Sequence, residues 1–265
     1  MTLADLTFDR WLSLDLAAAR RLAEEAAALV DGRVVLVDTV EHLGGPLHRV
    51  RIERGGRAFA LIPGGSVRLG FDLDAWRPTP AQLADYAESV SAGFGFGPDL
   101  KAHLARELSP VRTVALDAVL MAVEDEEVSE VPDEIPAALA ADGLRLPSAD
   151  EWEHACGAGA GTLFRWGDAC PLDEPSYGTG TLRHEPNAFG LHIAYDSYGG
   201  ELSADRGAFH GGDGGSAACG GYGSLLEWLP LATACRNPWM AELSYGPDGG
   251  DLGGAFSTRP VLTLP

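Results

Sequence analysis

Cys219, in Gly214-Gly-Ser-Ala-Ala-Cys219, and Cys235, in Thr233-Ala-Cys-Arg-Asn237, carry two of the soft sulfur donors of the glycine-rich C-terminal half. Thiolates are the ligands that soft metal ions prefer. Sixteen residues separate the two, so they form a pair only if the chain folds back on itself; otherwise they are ordinary buried thiols. His184, His192 and His210 lie in the same half, and neutral imidazoles suit copper, iron or zinc. Their spacings of eight and eighteen residues match no compact ligand motif, which leaves scattered loop histidines as the plainer reading. Trp228, Arg236, Asn237 and Trp239 are a polar and aromatic set suited to lining a cleft, with Arg236 offering a fork for a carboxylate. The two tryptophans would serve equally well in a core.

Other chemistries find less support. Ser216 and Ser224 sit among glycines, but no G-x-S-x-G elbow accompanies them. Gly93-Phe-Gly-Phe-Gly97 precedes no strand–helix unit of the right spacing, which removes a phosphate loop. It reads as a packed corner or as a lid over a pocket. The run Glu124-Asp-Glu-Glu127 is expected to be a solvated surface, with a cation site as the lesser alternative.

These residues need elements to position them. The stretch 144–155, Leu-Arg-Leu-Pro-Ser-Ala-Asp-Glu-Trp-Glu-His-Ala, reads as a short strand, a stop at Pro147 and a helix start. Ser148 and Glu151 make a capping box, and the acidic first turn suits the helix dipole. Trp152 and Ala155 share one face directed to a core, and Arg145 is placed to pair with one of the helix carboxylates. Upstream, the apolar spacing predicts a helix over residues 8–30, ended by Gly32, then an antiparallel meander over 34–40, 47–53 and 58–62. Two helical runs are expected at 80–91 and 99–108, a strand at 110–117, and a short helix at 137–141. Residues 1–56 are expected to pack as helix and meander on a main domain, 57–265, that carries an insertion at 71–108.

The 265 residues, 46% hydrophobic, suffice for a sizeable core. A formal net charge of −20 argues against nucleic acid or an anionic membrane as partner, since both call for clustered Lys and Arg. Residues 1–9 show no signal-peptide pattern, and no run reaches the length of a membrane span. Four cysteines without regular spacing fit a reducing compartment, so a cytoplasmic location is expected.

The stretch 144–155 resembles the R-L-P-T-E-A-E-W-E-Y-A signature of the formylglycine-generating, sulfatase-modifying domain family. Phe59-Ala-Leu-Ile-Pro-Gly-Gly-Ser66, Pro110-Val-Arg-Thr-Val-Ala-Leu-Asp117, Arg165-Trp-Gly-Asp168, Pro186-Asn-Ala-Phe-Gly-Leu191, Gly214-Gly-Ser216 and Thr258-Arg-Pro-Val261 resemble further family motifs in the family's order. The resemblance implies an α+β, C-type-lectin-like fold, rich in loops. It also implies an oxygen- and metal-dependent oxidoreductase acting on a small thiol or a peptide side chain. Family oxidases hold copper through two cysteines five apart after the G-G-S turn. Cys219 stands at the first position and Ser224 at the second, so Cys235 or a histidine would have to complete the site, for copper or iron. The family's calcium site would fall near Glu201 and Asp205, although its Gly-Asn pair is missing here. The alternative is a catalytically silent binding or accessory protein that keeps the fold and its cleft.

Overall fold

The computed structural model describes residues 3–128, 131–178, 184–246 and 256–264. The chain begins with α1 (Phe8–Leu12) and α2 (Leu16–Leu29), where a single helix was expected. The break has a local cause. The Ser13 hydroxyl donates to the Arg10 carbonyl, and Asp15 Oδ1 accepts from Ala18 N at 2.7 Å, restarting the helix. Ala19, Leu22, Ala23 and Ala26 form the buried stripe of α2.

The meander follows as β1 (Arg33–His42), β2 (Gly45–Arg54) and β3 (Arg57–Ile62), all antiparallel. β4 (Gly65–Leu69) then leads into α3 (Pro80–Ser91) and α4 (Leu100–Glu107). Thr79 and Gln82 close a capping box on α3, and Asp99 caps α4 through Ala102 N. The chain returns in β5 (Arg112–Leu116), which pairs with β4, so residues 71–108 form a helical excursion from one hairpin.

β6 (Val119–Ala122) was not anticipated, because four apolar residues in a row carry no period. It is buried throughout and pairs with β3 on one side. β7 (Glu126–Glu127) takes half of the acidic run into a sheet, and α5 (Ile135–Ala141) begins two residues before the expected start.

α6 (Ala149–Gly157) has the anticipated capping box between Ser148 and Glu151. Arg145 meets Glu151 with two hydrogen bonds, of 2.7 and 2.6 Å. The helix is enclosed, with Trp152, Ala155 and Cys156 at most 1% exposed. Beyond it lie β8 (Glu201–Leu202), β9 (Phe209–His210), α7 (Ser216–Gly220), α8 (Ser224–Trp228) and α9 (Pro238–Tyr245). The chain closes with β10 (Ser257–Thr258) and β11 (Val261–Thr263).

The main sheet runs β1-β2-β3-β6-β11 and is antiparallel throughout; a second runs β7-β10-β8-β9, with β8 and β10 parallel. Gly55-Gly56 is therefore only a hairpin turn within one sheet, and the expected boundary at 56/57 is not a structural joint. Alternation along β3 divides the core. Phe59 and Leu61 face Trp11 and the α2 alanines, while Ala60 and Ile62 face Trp152, Phe189 and Trp228. The architecture is α+β with largely antiparallel sheets.

Candidate functional site

A cavity of about 260 Å³ opens where the 71–108 excursion meets the C-terminal loops. Helix α4 supplies His103 and Glu107, one turn apart on one face. The Gly93–Gly97 segment is held by Tyr86, whose hydroxyl donates to the Gly97 carbonyl at 2.8 Å. Its Phe96 ring lies 5.3 Å from Tyr222 and 5.4 Å from His103, and Phe94 lies 4.9 Å from Tyr222. Phe96 is half-buried and walls the cavity, whereas Phe94 and the glycines around it are exposed.

The opposite wall comes from the loops. Asp213 Oδ2 accepts from Ala217 N at 2.9 Å and starts α7, whereas Asp213 Oδ1 is buried without a partner. Asn237 has φ +33°, a conformation asparagine tolerates better than most residues, and its Oδ1 caps α9 through Met240 N. That turn sets the exposed Trp239 ring beside the cavity. Burial raises the Asp213 and Glu107 carboxyls above the usual carboxylate range. Burial, and then Arg106, lower His103, so its imidazole is neutral near pH 7.

A second cavity, of about 240 Å³, lies beside a buried ionic centre and is lined by Asp125, Tyr195, Asp196 and Glu201 among others. Arg259, fully buried, gives Glu201 two hydrogen bonds and also donates to the carbonyls of Ala122, Val123 and His192. Trp152 Nε1 donates to Glu201 Oε2 at 2.8 Å. Against the desolvation that burial imposes, the Glu201 carboxylate holds Arg259 in its charged form.

The residues singled out in the sequence fall in different places. Cys219 is exposed on α7, with its sulfur 3.2 Å from the Tyr198 hydroxyl. Cys235 is buried, lines the 260 Å³ cavity and bridges to Leu108. Burial, and then Glu107, raise its thiol, which disfavours the thiolate a soft metal needs. Ser224 begins α8 and offers only a hydroxyl. This donor set does not fit a two-thiolate copper centre.

The imidazoles serve three different partners. His184 is exposed, its ring 5.9 Å from Tyr195; His192 Nδ1 meets Glu124 Oε1 at 2.7 Å; His210 is buried and stacked on Trp152 at 4.6 Å. His210 Nδ1 bonds the Cys235 carbonyl, which leaves its buried Nε2 without a partner. Glu201 is committed to Arg259 and Trp152, and Asp205 Oδ2 accepts from Ala149 N at the start of α6. Among the described residues, no group of three or more His, Cys, Asp or Glu side chains is placed to hold a metal ion.

Of the four residues expected to line a cleft, Asn237 and Trp239 do so. Trp228 is core, 1% exposed, with its indole donating to the Glu174 carbonyl. Arg236 is paired with Asp150 and Glu153, which also hold Arg112. Sequence reasoning missed His103, Glu107, Asp213 and Tyr222. The available signals were a histidine and a glutamate one turn apart on α4, and an aspartate alone among glycines at 211–215.

Compared with known protein families and with curated proteins, the chain matches no family model and no curated sequence. Fold and site together define an α+β protein with a cavity between helices and loops, walled by aromatic rings and carboxyl groups.

Proposed function

We propose that this chain is a binding protein built on a C-type-lectin-like, formylglycine-generating type of fold, with its ligand site in the 260 Å³ cavity. The carrying observation is the unlike setting of the two thiols: Cys219 is exposed beside Tyr198, whereas Cys235 is buried in the cavity wall, where burial disfavours its thiolate. One soft donor alone does not make the copper site an oxidase of that family would use.

The fold assignment draws support from the work the motif residues do. A Cβ on Gly64 would lie 2.3 Å from the Leu116 carbonyl, so the glycine pair at 64–65 permits close chain packing. Asn187 donates to the carbonyls of Ala155 and Cys156 and accepts from the amides of Phe189 and Leu191, tying its loop to α6. Arg259 of the closing motif sits at the buried ionic centre.

The test has two arms. Titration with Cu(I) under anaerobic conditions should give no stoichiometric site beyond that of Cys219→Ala, and oxygen uptake with dithiothreitol should not exceed a free-copper control. A thermal-shift screen of small molecules should find stabilising ligands whose effect is lost in Ala217→Phe, which fills the cavity. Stoichiometric copper and oxygen uptake, both abolished by Cys219→Ala, would overturn this reading in favour of the oxidase. Stabilisation that survives Ala217→Phe would place the ligand elsewhere.

A further inference from the structure

We infer that the cavity takes a small organic cation, an amine in its ammonium form, between the Glu107 and Asp213 carboxyl groups and against the Phe96, Tyr222 and Trp239 rings. This rests on the cavity being the ligand site. Among the described residues, the wall contributes two acidic side chains and no lysine or arginine. Asp213 uses one oxygen on the α7 amide and buries the other without a donor. An unsatisfied buried acceptor is costly, and an N–H donor from a ligand would relieve it. Among the described residues, none holds Glu107 in an ion pair: Arg106 turns its guanidinium to His103 Nδ1 at 3.3 Å, and Arg236 is committed to Asp150 and Glu153.

The rest of the wall selects the kind of cation. Calcium or magnesium wants about six or more oxygen ligands, whereas this lining is largely aromatic and aliphatic. Aromatic faces attract an ammonium group, and the apolar wall accepts its hydrocarbon portion. An anionic ligand would face two like charges. Over longer range, the net charge of −20 draws cations towards the protein. Burial raises both carboxyls, and an ammonium ion would oppose that shift.

Calorimetry on the full chain with 2-phenylethylamine, against its neutral counterpart 2-phenylethanol, tests the inference. The amine should bind saturably at one site. Binding should weaken about tenfold or more in Glu107→Gln and in Asp213→Asn, and remain unchanged in Glu24→Gln on the exposed face of α2. Glu107 caps no helix, so Glu107→Gln carries the test if Asp213→Asn perturbs α7. Equal affinity for the alcohol would overturn the cation while leaving the cavity reading intact. No amine binding, or amine binding indifferent to both variants, would overturn the inference; the filled-cavity screen judges the cavity separately. Calcium that displaces the amine with the same variant dependence would overturn it in favour of a metal ion.

Discussion

The Arg259 guanidinium and the Glu201 carboxylate form a bidentate pair at 2.8 and 2.7 Å, with 0% and 5% of their side chains exposed. Removing one partner strands the other charge in the core. Arg259→Met should therefore cost about 3–5 kcal/mol in urea unfolding. The double variant Arg259→Met with Glu201→Leu should recover part of that loss. If the double variant is less stable than the single one, the cost lies in packing and in the carbonyls Arg259 satisfies, not in the stranded charge.

Ser148 and Trp152 separate a local from a global contribution to α6. Ser148→Ala removes the hydroxyl that accepts from Glu151 N, and should destabilise by about 1 kcal/mol. Trp152→Ala empties a fully buried site, removes the stack on His210 and takes away one of the two donors to Glu201 Oε2, at about 3–5 kcal/mol. Chemical unfolding measures both, and equal costs would contradict the assigned burial.

Thiol reactivity should report the separation of the cysteines. Under native conditions Cys219 should react first with a small aromatic disulfide reagent. Cys156 and Cys235, both buried and with raised thiol pKa values, should react only on unfolding. Mass spectrometry of partly labelled protein identifies the site. Native labelling of Cys235 at a comparable rate would show that its cavity wall opens.

Acid should weaken the fold through His210. Burial lowers its pKa to about 3, while the unfolded ring titrates near 6.5. Below about pH 6.5 the unfolded chain takes up a proton the folded chain refuses, so stability falls with pH, by up to about 1.4 kcal/mol per unit. His210→Phe retains a ring over Trp152 and should flatten the profile between pH 6.5 and 4.5. Asp213 has the opposite sign. Its raised folded pKa contributes stability that is present at low pH and lost as the pH rises through that value. Asp213→Asn should therefore steepen the acid loss, and urea unfolding across this range would expose any failure as parallel curves.

Local chemistry made much of the scaffold legible. Ser148 with Glu151 announces a helix start because the cap is completed within four residues. Alternation and glycine turns marked the meander in the same way. The split between α1 and α2 was hidden because Ser13 and Asp15 interrupt the helix without disturbing its apolar spacing. β6 was hidden because a strand buried on both faces has no alternation to read.

By itself the sequence determined the helix caps, the hairpins and an acidic surface, all of which depend on neighbours in the chain or on composition alone. Only the tertiary structure decided which side chains share a site. It set Glu107 of α4 in one cavity with Asp213 and Asn237, and it joined Arg259 to Glu201. It also left Cys219 at the surface while burying Cys235. Such pairings connect residues dozens of positions apart, and they follow from how the sheets and the 71–108 excursion pack. No local propensity records that packing.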